Sequence, residues 1–255
     1  MLRAEHEGAL VVWTIDRPGA KNALDSKVLA ALDKELDRAK KDRDLRAVIL
    51  TGTGDAFSSG GDLQELRGVT GLSETERFCD LGRGICKKIE ELRVPVIASL
   101  PGVAYGGGAE LALACDMRIA DPAARISFKQ ARMGVTTAWG TLARLVSVVG
   151  HGTASRLLFT AHELGAKEAK KLGLVDEVAD KGMALTVARA WAHDIMASAP
   201  KAVADMKDLL RISRTEPAKL DAEERKRFIL AWTGHEHADA VEAYFARRPS
   251  RWPAK

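Results

Sequence analysis

Glu110 closes the run Gly106-Gly107-Gly108-Ala109-Glu110, and an acid beside a glycine cluster marks a place where charge can develop and a proton can move. The segment before it, Val94-Pro95-Val96-Ile97-Ala98-Ser99-Leu100, is short, β-branched and closed by Pro101-Gly102, which predicts a buried strand. The segment after it, Leu111-Ala112-Leu113-Ala114-Cys115, predicts a compact helix. Glycine lets backbone approach a ligand because no Cβ intervenes, and the free N–H groups at a helix start receive negative charge. A second stretch repeats the design. Arg46-Ala47-Val48-Ile49-Leu50-Thr51 reads as a strand, and Gly52-Thr53-Gly54-Asp55-Ala56-Phe57-Ser58-Ser59-Gly60-Gly61-Asp62-Leu63 as the loop after it. Two such loops can set two backbone donors beside one oxygen, an oxyanion hole in which one donor is worth about 3–4 kcal/mol of barrier. The plainer reading of each glycine run is a tight connection between strand and helix. A dinucleotide fingerprint fits neither, because the run from Gly52 lacks a third glycine and the glycines around 106 are contiguous.

Ala56-Phe57-Ser58-Ser59-Gly60-Gly61-Asp62-Leu63 and Gly102-x-Ala104-x-Gly106-Gly107-Gly108-Ala109-Glu110-Leu111-Ala112, in this order and at this separation, resemble the crotonase (enoyl-CoA hydratase/isomerase) superfamily. The similarity continues through Asn22-Ala23-Leu24, Cys115-Asp116-x-Arg118-Ile119-Ala120 and the stretches 134–145 and 166–178, and reaches Ala243-x-x-Ala246-Arg247-Arg248-Pro249. The resemblance implies an α/β chain with a ββα spiral core over residues 1–199. It also implies a C-terminal helical region, 200–255, that assembles a homotrimer or two stacked trimers. The implied substrate is an acyl-CoA thioester, with coenzyme A arriving as part of it and no tightly bound cofactor. By motif position, the amides of Gly61 and Gly107 would receive the enolate oxygen. Lys21, Ala23, Ser59, Gly60, Asp62 and Leu63 would flank coenzyme A, and Met133, Thr137 and Trp139 would line the acyl pocket. Lys21 reads equally as a solvated loop lysine, and Asp62 equally as the cap of the next helix.

Two-carboxylate hydratases of this superfamily carry one glutamate at the position of Glu110 and another four residues before a Gly-x-x-Pro-like loop. Counting back from Gly134, that second position is Gln130, and no Asp or Glu occurs between Asp121 and Glu163. An amide can hold water but does not exchange a proton at neutral pH. General acid–base help is commonly worth about 10²–10⁴-fold, so hydration is expected to be weakened. Isomerisation of a double bond by Glu110 alone stays open, as does decarboxylation of a malonyl-type thioester, in which loss of CO₂ generates the enolate. Hydration also stays open if Glu76 or Asp80 supplies the missing acid. The stretch Phe128-Lys129-Gln130-x-x-Met133-Gly134-x-x-x-x-Trp139-Gly140 is similar to the branch that includes methylmalonyl- and ethylmalonyl-CoA decarboxylases. Within it, Lys129 and Arg132 would favour a carboxylated substrate, or are ordinary surface charges. Thioester hydrolysis, and a binding protein that kept the fold and touches RNA, are the remaining readings.

The elements that must position these residues follow from periodicity. Ala9 to Asp16 reads as a strand stopped by Arg17-Pro18-Gly19. Asp25 predicts the cap of a helix to about Lys40 that buries Val28, Leu29, Leu32 and Leu36. Ser73-Glu74-Thr75-Glu76 has the form of a capping box, opening a helix to about Leu92 with Phe78, Leu81, Ile85 and Ile89 inward. Short strands are expected at 116–120 and 125–128, a helix at 139–149, then helix, turn and strand over 165–179. Four further helices are expected near 183–197, 201–212, 218–232 and 236–246, so strand–helix alternation ends at Ala199-Pro200.

The chain of 255 residues, 46% hydrophobic, can bury a sizeable core. It has no run near the roughly 20 apolar residues of a membrane span, and its charged opening residues predict a cytoplasmic location. Cys79, Cys86 and Cys115 form no CxxC pair, so neither disulfides nor a zinc site is expected. The net charge of +4 suits an anionic ligand, while scattered basic residues without interleaved aromatics make nucleic acid an unlikely partner.

Overall fold

The computed structural model describes residues 1–250. Among them, ten strands form two sheets. The larger runs, edge to edge, β1 (Leu2–Glu7), β2 (Leu10–Ile15), β3 (Ala47–Gly52), β5 (Val96–Leu100), β7 (Met117–Ala120) and β10 (Glu177–Val178). The smaller runs β4 (Ala56–Ser58), β6 (Val103–Tyr105), β8 (Arg125–Ser127) and β9 (Leu164–Gly165). Pairing is parallel except at the edges, where β1 runs antiparallel to β2 and β9 to β8. Successive passes of the chain place one strand in each sheet, β3 then β4, β5 then β6, β7 then β8. Each pass returns through helix: α2 (Leu63–Leu66) with α3 (Leu72–Glu91), then α4 (Gly107–Ala114), then α5 (Thr141–Thr160). This is a ββα spiral. Helix α1 (Ser26–Lys41) joins β2 to β3, and α6 (Ala166–Lys171) precedes β10. Four helices follow: α7 (Ala184–Met196), α8 (Pro200–Thr215), α9 (Leu220–Trp232) and α10 (His235–Phe245).

The pleat sorts the apolar strand residues onto two faces. Val11, Trp13, Ile15, Val48, Leu50, Val96 and Ala98 join the main core with α1, α3 and α4. Leu10, Val12, Ala47, Ile49, Ile97 and Ile119 face the other way, onto Ala184, Ala188 and Ala192 of α7. Alanines four apart keep that helix close to the sheet. With both faces covered, β2, β3 and β5 are buried along their whole length, which is why they read as continuous apolar runs. Helix α1 starts where expected, the Asp25 carboxylate accepting from the Val28 N–H at 2.7 Å.

Several elements depart from the sequence reading. Strand β1 was not anticipated, because its residues are almost all exposed and it is held by the ladder to β2 rather than by burial. β4 and β6 lie inside stretches that read as loops, being three residues each beside glycines. Helix α3 starts at Leu72 with Gly71 as its cap and no side-chain bond, so Ser73 lies inside the helix and the capping box does not form. Gly82 and Cys86 join Ile85 and Ile89 on its buried face, with Phe78 and Leu81 half-buried. Trp139 precedes α5 rather than opening it, and that helix extends to Thr160 across a break at Gly150, where φ is 75°. The cysteines are free, and burial pushes the Cys115 thiol up to about 12. Among the described residues no helix is long and apolar enough to cross a membrane, and no cluster of three or more His, Cys, Asp or Glu could hold a metal.

Helix α8 docks through a buried ammonium. Lys207 Nζ donates to the carbonyls of Ile89 and Val94, both at 2.9 Å, and pairs with Asp116 Oδ2 at 2.8 Å. Replacing Lys207 by Met keeps the apolar stem but strands these acceptors. The unfolding free energy is expected to fall by about 3 kcal/mol, read as a lower denaturant midpoint at unchanged slope. An unchanged midpoint would mean that the docking rests on packing alone.

Candidate active site

Asn22 is fully buried at a φ of 57°, in the left-handed region that Asn tolerates better than most residues. Its Nδ2 donates to the carbonyls of Thr53 (2.9 Å) and Ala56 (2.7 Å), and its Oδ1 accepts from Arg17 N–H (2.9 Å). The segment 21–24 is thereby laid along 59–62: Ser59 N–H donates to Lys21 O, Leu24 N–H to Gly60 O and Asp62 N–H to Leu24 O. Arg17 adds bonds to Ala23 O (2.8 Å) and Asp62 Oδ2 (2.9 Å). Asp62 also accepts from Gln64 and Glu65 N–H, so its carboxylate serves as the cap of α2. The Arg17 hydrogen bond, helped by the Gln64 and Glu65 N–H groups, holds that carboxyl below its usual range against the opposing effect of burial.

The second loop abuts the first. A Cβ on Gly108 would lie 2.5 Å from Ser58 O, so only glycine permits this approach. Gly106 turns at φ 50°, and α4 begins at Gly107. A Cβ on Gly107 would point toward Gly61, 3.7 Å from its nitrogen. Among the described residues neither the Gly61 nor the Gly107 N–H is spent on a protein acceptor. Two main-chain donors from two strand-to-helix junctions therefore border one small space.

Glu110 lies one helical turn on and is 4% exposed. Its Oε1 accepts from Thr141 Oγ1 (2.5 Å), Ala138 N–H (3.2 Å) and Trp139 N–H (3.3 Å), and its Oε2 from Gln130 Nε2 (2.8 Å). Gln130 Oε1 is buried without a partner, leaving an acceptor beside the carboxylate. The Trp139 indole packs against both helices, since a Cβ on Gly82 would fall 2.0 Å from Cε2 and one on Gly107 2.9 Å from Cη2. The Phe78 ring is 5.9 Å away.

The structure thus brings Gly61, Gly107, Glu110, Gln130 and Trp139 into one cluster, with Lys21, Ala23, Ser59, Gly60 and Asp62 along its rim. Leu63 is exposed beside Asp62, Met133 is exposed, and Thr137 is half-exposed on the turn before Ala138. Glu76 and Asp80 are exposed on α3 and have no bond to Glu110. Lys129 pairs with Glu163 and covers the Tyr105 ring, and Arg132 donates to Thr160 O. Sequence reasoning missed Thr141, the Ala138 and Trp139 amides, and Gly82. The available signal for Gly82 was a glycine on the inward stripe of a helix.

Two strand–loop–helix junctions, one layered on the other, are thus successive passes of the ββα spiral. In fold the chain matches the crystal structure of an enoyl-CoA hydratase from Bacillus anthracis at a TM-score of 0.95, with 27% identity, covering 100% of this chain and 99% of that one. It is 36% identical over 248 residues to the short-chain-enoyl-CoA hydratase of Clostridium acetobutylicum, spanning 96% of this chain and 94% of that one. It is also 31% identical over 257 residues to the crotonyl-CoA hydratase of Syntrophomonas wolfei, spanning 98% and 97%. The family model described as enoyl-CoA hydratase/isomerase matches residues 5–255, and the chain belongs to that family.

Gly107→Ala would put a methyl group between the two amides and against the indole. Turnover of an enoyl-CoA is expected to fall about 10²-fold, the scale of losing one such donor, and the unfolding free energy by about 1–3 kcal/mol, because the methyl meets the buried indole. Full activity would mean that the substrate oxygen does not enter this space.

Proposed function

We propose that the protein hydrates a short enoyl-CoA thioester, with Glu110 as the sole proton-transferring carboxylate and Gln130 as the holder of the water. The observation that carries this reading is the unpartnered Gln130 Oε1 beside a carboxylate whose own Oε2 is bonded to the same amide. A water donating to Gln130 Oε1 and to Glu110 would have its oxygen free to attack. Glu110 takes the water proton as the oxygen bonds to C3, and the electron pair of the double bond moves to the thioester oxygen. The Gly61 and Gly107 N–H groups receive that negative charge. Collapse of the enolate returns the proton from Glu110 to C2, so one carboxylate closes the cycle. The same group can shift a double bond by removing and returning a carbon-bound proton, which makes isomerisation the accompanying activity.

Coenzyme A would lie along the rim made by segments 21–24 and 59–62. The C-terminal helices expose Phe228, Trp232, Tyr244 and Phe245, and these apolar faces support assembly as a homotrimer or two stacked trimers through the region from residue 200 onward. The names of the hydratase relatives support the hydration reading. Because Gln130 cannot supply a second acid, hydration is expected to be slower than in a two-glutamate enzyme.

Glu110→Gln keeps the shape and removes the base, so hydration of crotonyl-CoA should drop about 10²–10⁴-fold while thioester binding by calorimetry stays near wild type. Surviving activity would reduce Glu110 to a structural cap. CO₂ release from a malonyl-type ester by wild type, without hydration of crotonyl-CoA, would assign decarboxylation instead.

The indole wedged between α3 and Gly107 shortens the space for the acyl tail. Trp139→Leu is therefore expected to raise kcat/KM for eight-carbon relative to four-carbon enoyl-CoA about tenfold, on the scale of a few methylenes newly accommodated. An unchanged ratio would place the tail elsewhere.

A further inference from the structure

The turn that carries the Ala138 and Trp139 amides is exposed over Val135 and Thr136, yet its far end is gripped from behind. Arg144, in the first turns of α5 with its side chain 8% exposed, donates from Nη1 to the Trp139 carbonyl at 2.5 Å and from Nη2 to Glu90 Oε2 at 2.6 Å. The other oxygen of Glu90 accepts from Arg214 Nη2, in the last turn of α8. A Cβ on Gly140 would meet Arg144 Nη1 at 3.0 Å, so glycine there lets the guanidinium fold against the turn. A continuous series of hydrogen bonds thus runs from the C-terminal helical region through α3 and α5 to the residue whose N–H reaches Glu110.

We propose that Arg214, Glu90 and Arg144 form a positioning relay by which helix α8 fixes the 138–141 turn and, through it, the pose of the Glu110 carboxylate. None of the three touches the reacting atoms. Burial pushes the Glu90 carboxyl up, but the hydrogen bonds and charges of Arg144 and Arg214 outweigh it and hold it below the usual carboxylate value, so Glu90 stays charged between the two guanidiniums. Burial lowers the Arg144 guanidinium, but the hydrogen bond and charge of Glu90 hold it above its ordinary value. The alternative role for three such residues is bulk stability of the α3–α5–α8 contact, which would be indifferent to Glu110.

The kinetic arm of the test rests on the proposed role of Glu110, and the exchange arm does not. Arg214→Met leaves the buried Glu90–Arg144 pair in place, and Glu90→Gln keeps the shape of the link. In both variants, amide hydrogen exchange at Ala138 and Trp139 is expected to accelerate about tenfold, while the amides of α4 beyond its first turn keep their wild-type rates. Arg214→Lys should restore part of the protection. With crotonyl-CoA, kcat should fall about tenfold, a modest misplacement by the standard of 10²-fold losses for about 1 Å, with KM held within about twofold. Placed in the Glu110→Gln background, Glu90→Gln should cost nothing further, since a relay acting through Glu110 has nothing left to position. Unchanged exchange at 138–139 would overturn the relay, as would an equal kcat loss in both backgrounds. Wild-type inactivity toward crotonyl-CoA would overturn the proposed reaction alone, and the exchange rates would still decide the relay.

Discussion

A charged carboxylate sealed from solvent is costly unless donors surround it. Glu110 meets this constraint with four: an amide, two main-chain N–H groups and a hydroxyl. All four are neutral. They fix where the two oxygens point without setting an opposite charge against them, and three of them come from one short stretch, residues 138–141. The site therefore depends on a turn that is anchored in the core by Trp139 and Thr141 but exposed just before, over residues 131–136. That dependence explains why so much of the surrounding polar structure, from Thr141 to Arg144, is directed at this turn rather than at solvent.

The spiral supplies the other half of the site by repetition. β4 leads into the first glycine loop and β6 into the second, and parallel pairing of β4 with β6, with a shift of register between Ala56 and Ser58, stacks one loop on the other. Stacking at this distance excludes side chains, which is visible at Gly108 against the Ser58 carbonyl. The first N–H groups of α4 have no partner within the helix, and the Gly61 N–H is bypassed by the Leu24 bridge, whose bonds fall on Gly60 and Asp62. Two free donors thus arise from ordinary secondary-structure geometry. The first of the two loops is held in place by Asn22, whose side chain bonds the carbonyls of Thr53 and Ala56 and the N–H of Arg17.

How much of this was legible in the sequence depends on the range of the interaction. The strand–glycine–helix junctions, the α1 cap at Asp25 and the apolar stripes were readable because each is set by neighbours along the chain. β1 was not, since a polar edge strand buries nothing and only its ladder defines it. β4 and β6 were too short for a periodic signal. The capping-box pattern at Ser73 misled because the helix already begins one residue earlier, at Leu72, and a helix start is fixed by the chain's approach angle as well as by side-chain type. Asp62 was left open between ligand contact and cap; the structure shows its carboxylate capping α2 and paired with Arg17. Links such as Arg144 to Glu90 and Arg214 to Glu90 span 54 and 124 positions, a separation across which no local pattern exists.

Those long-range links bear on what the C-terminal helices are for. Lys207 and Arg214 are seven residues apart on α8, two helical turns, and so share a face. Both reach the end of α3: Lys207 takes the carbonyl of Ile89, and Arg214 takes the carboxylate of Glu90. Cationic groups at a helix C-terminus are favourable in themselves, because the last carbonyls there lack partners. The same two contacts hold the C-terminal end of the helix whose Gly82 accommodates the Trp139 indole. A helix that reads from sequence as an appendage beyond the spiral is therefore continuous, through α3, with the wall of the site. Helix α9 in turn is tied to α8 by the pairing of Arg227 with Asp205 and Asp208, so the C-terminal helices meet the spiral, through Lys207 and Arg214, at the end of α3.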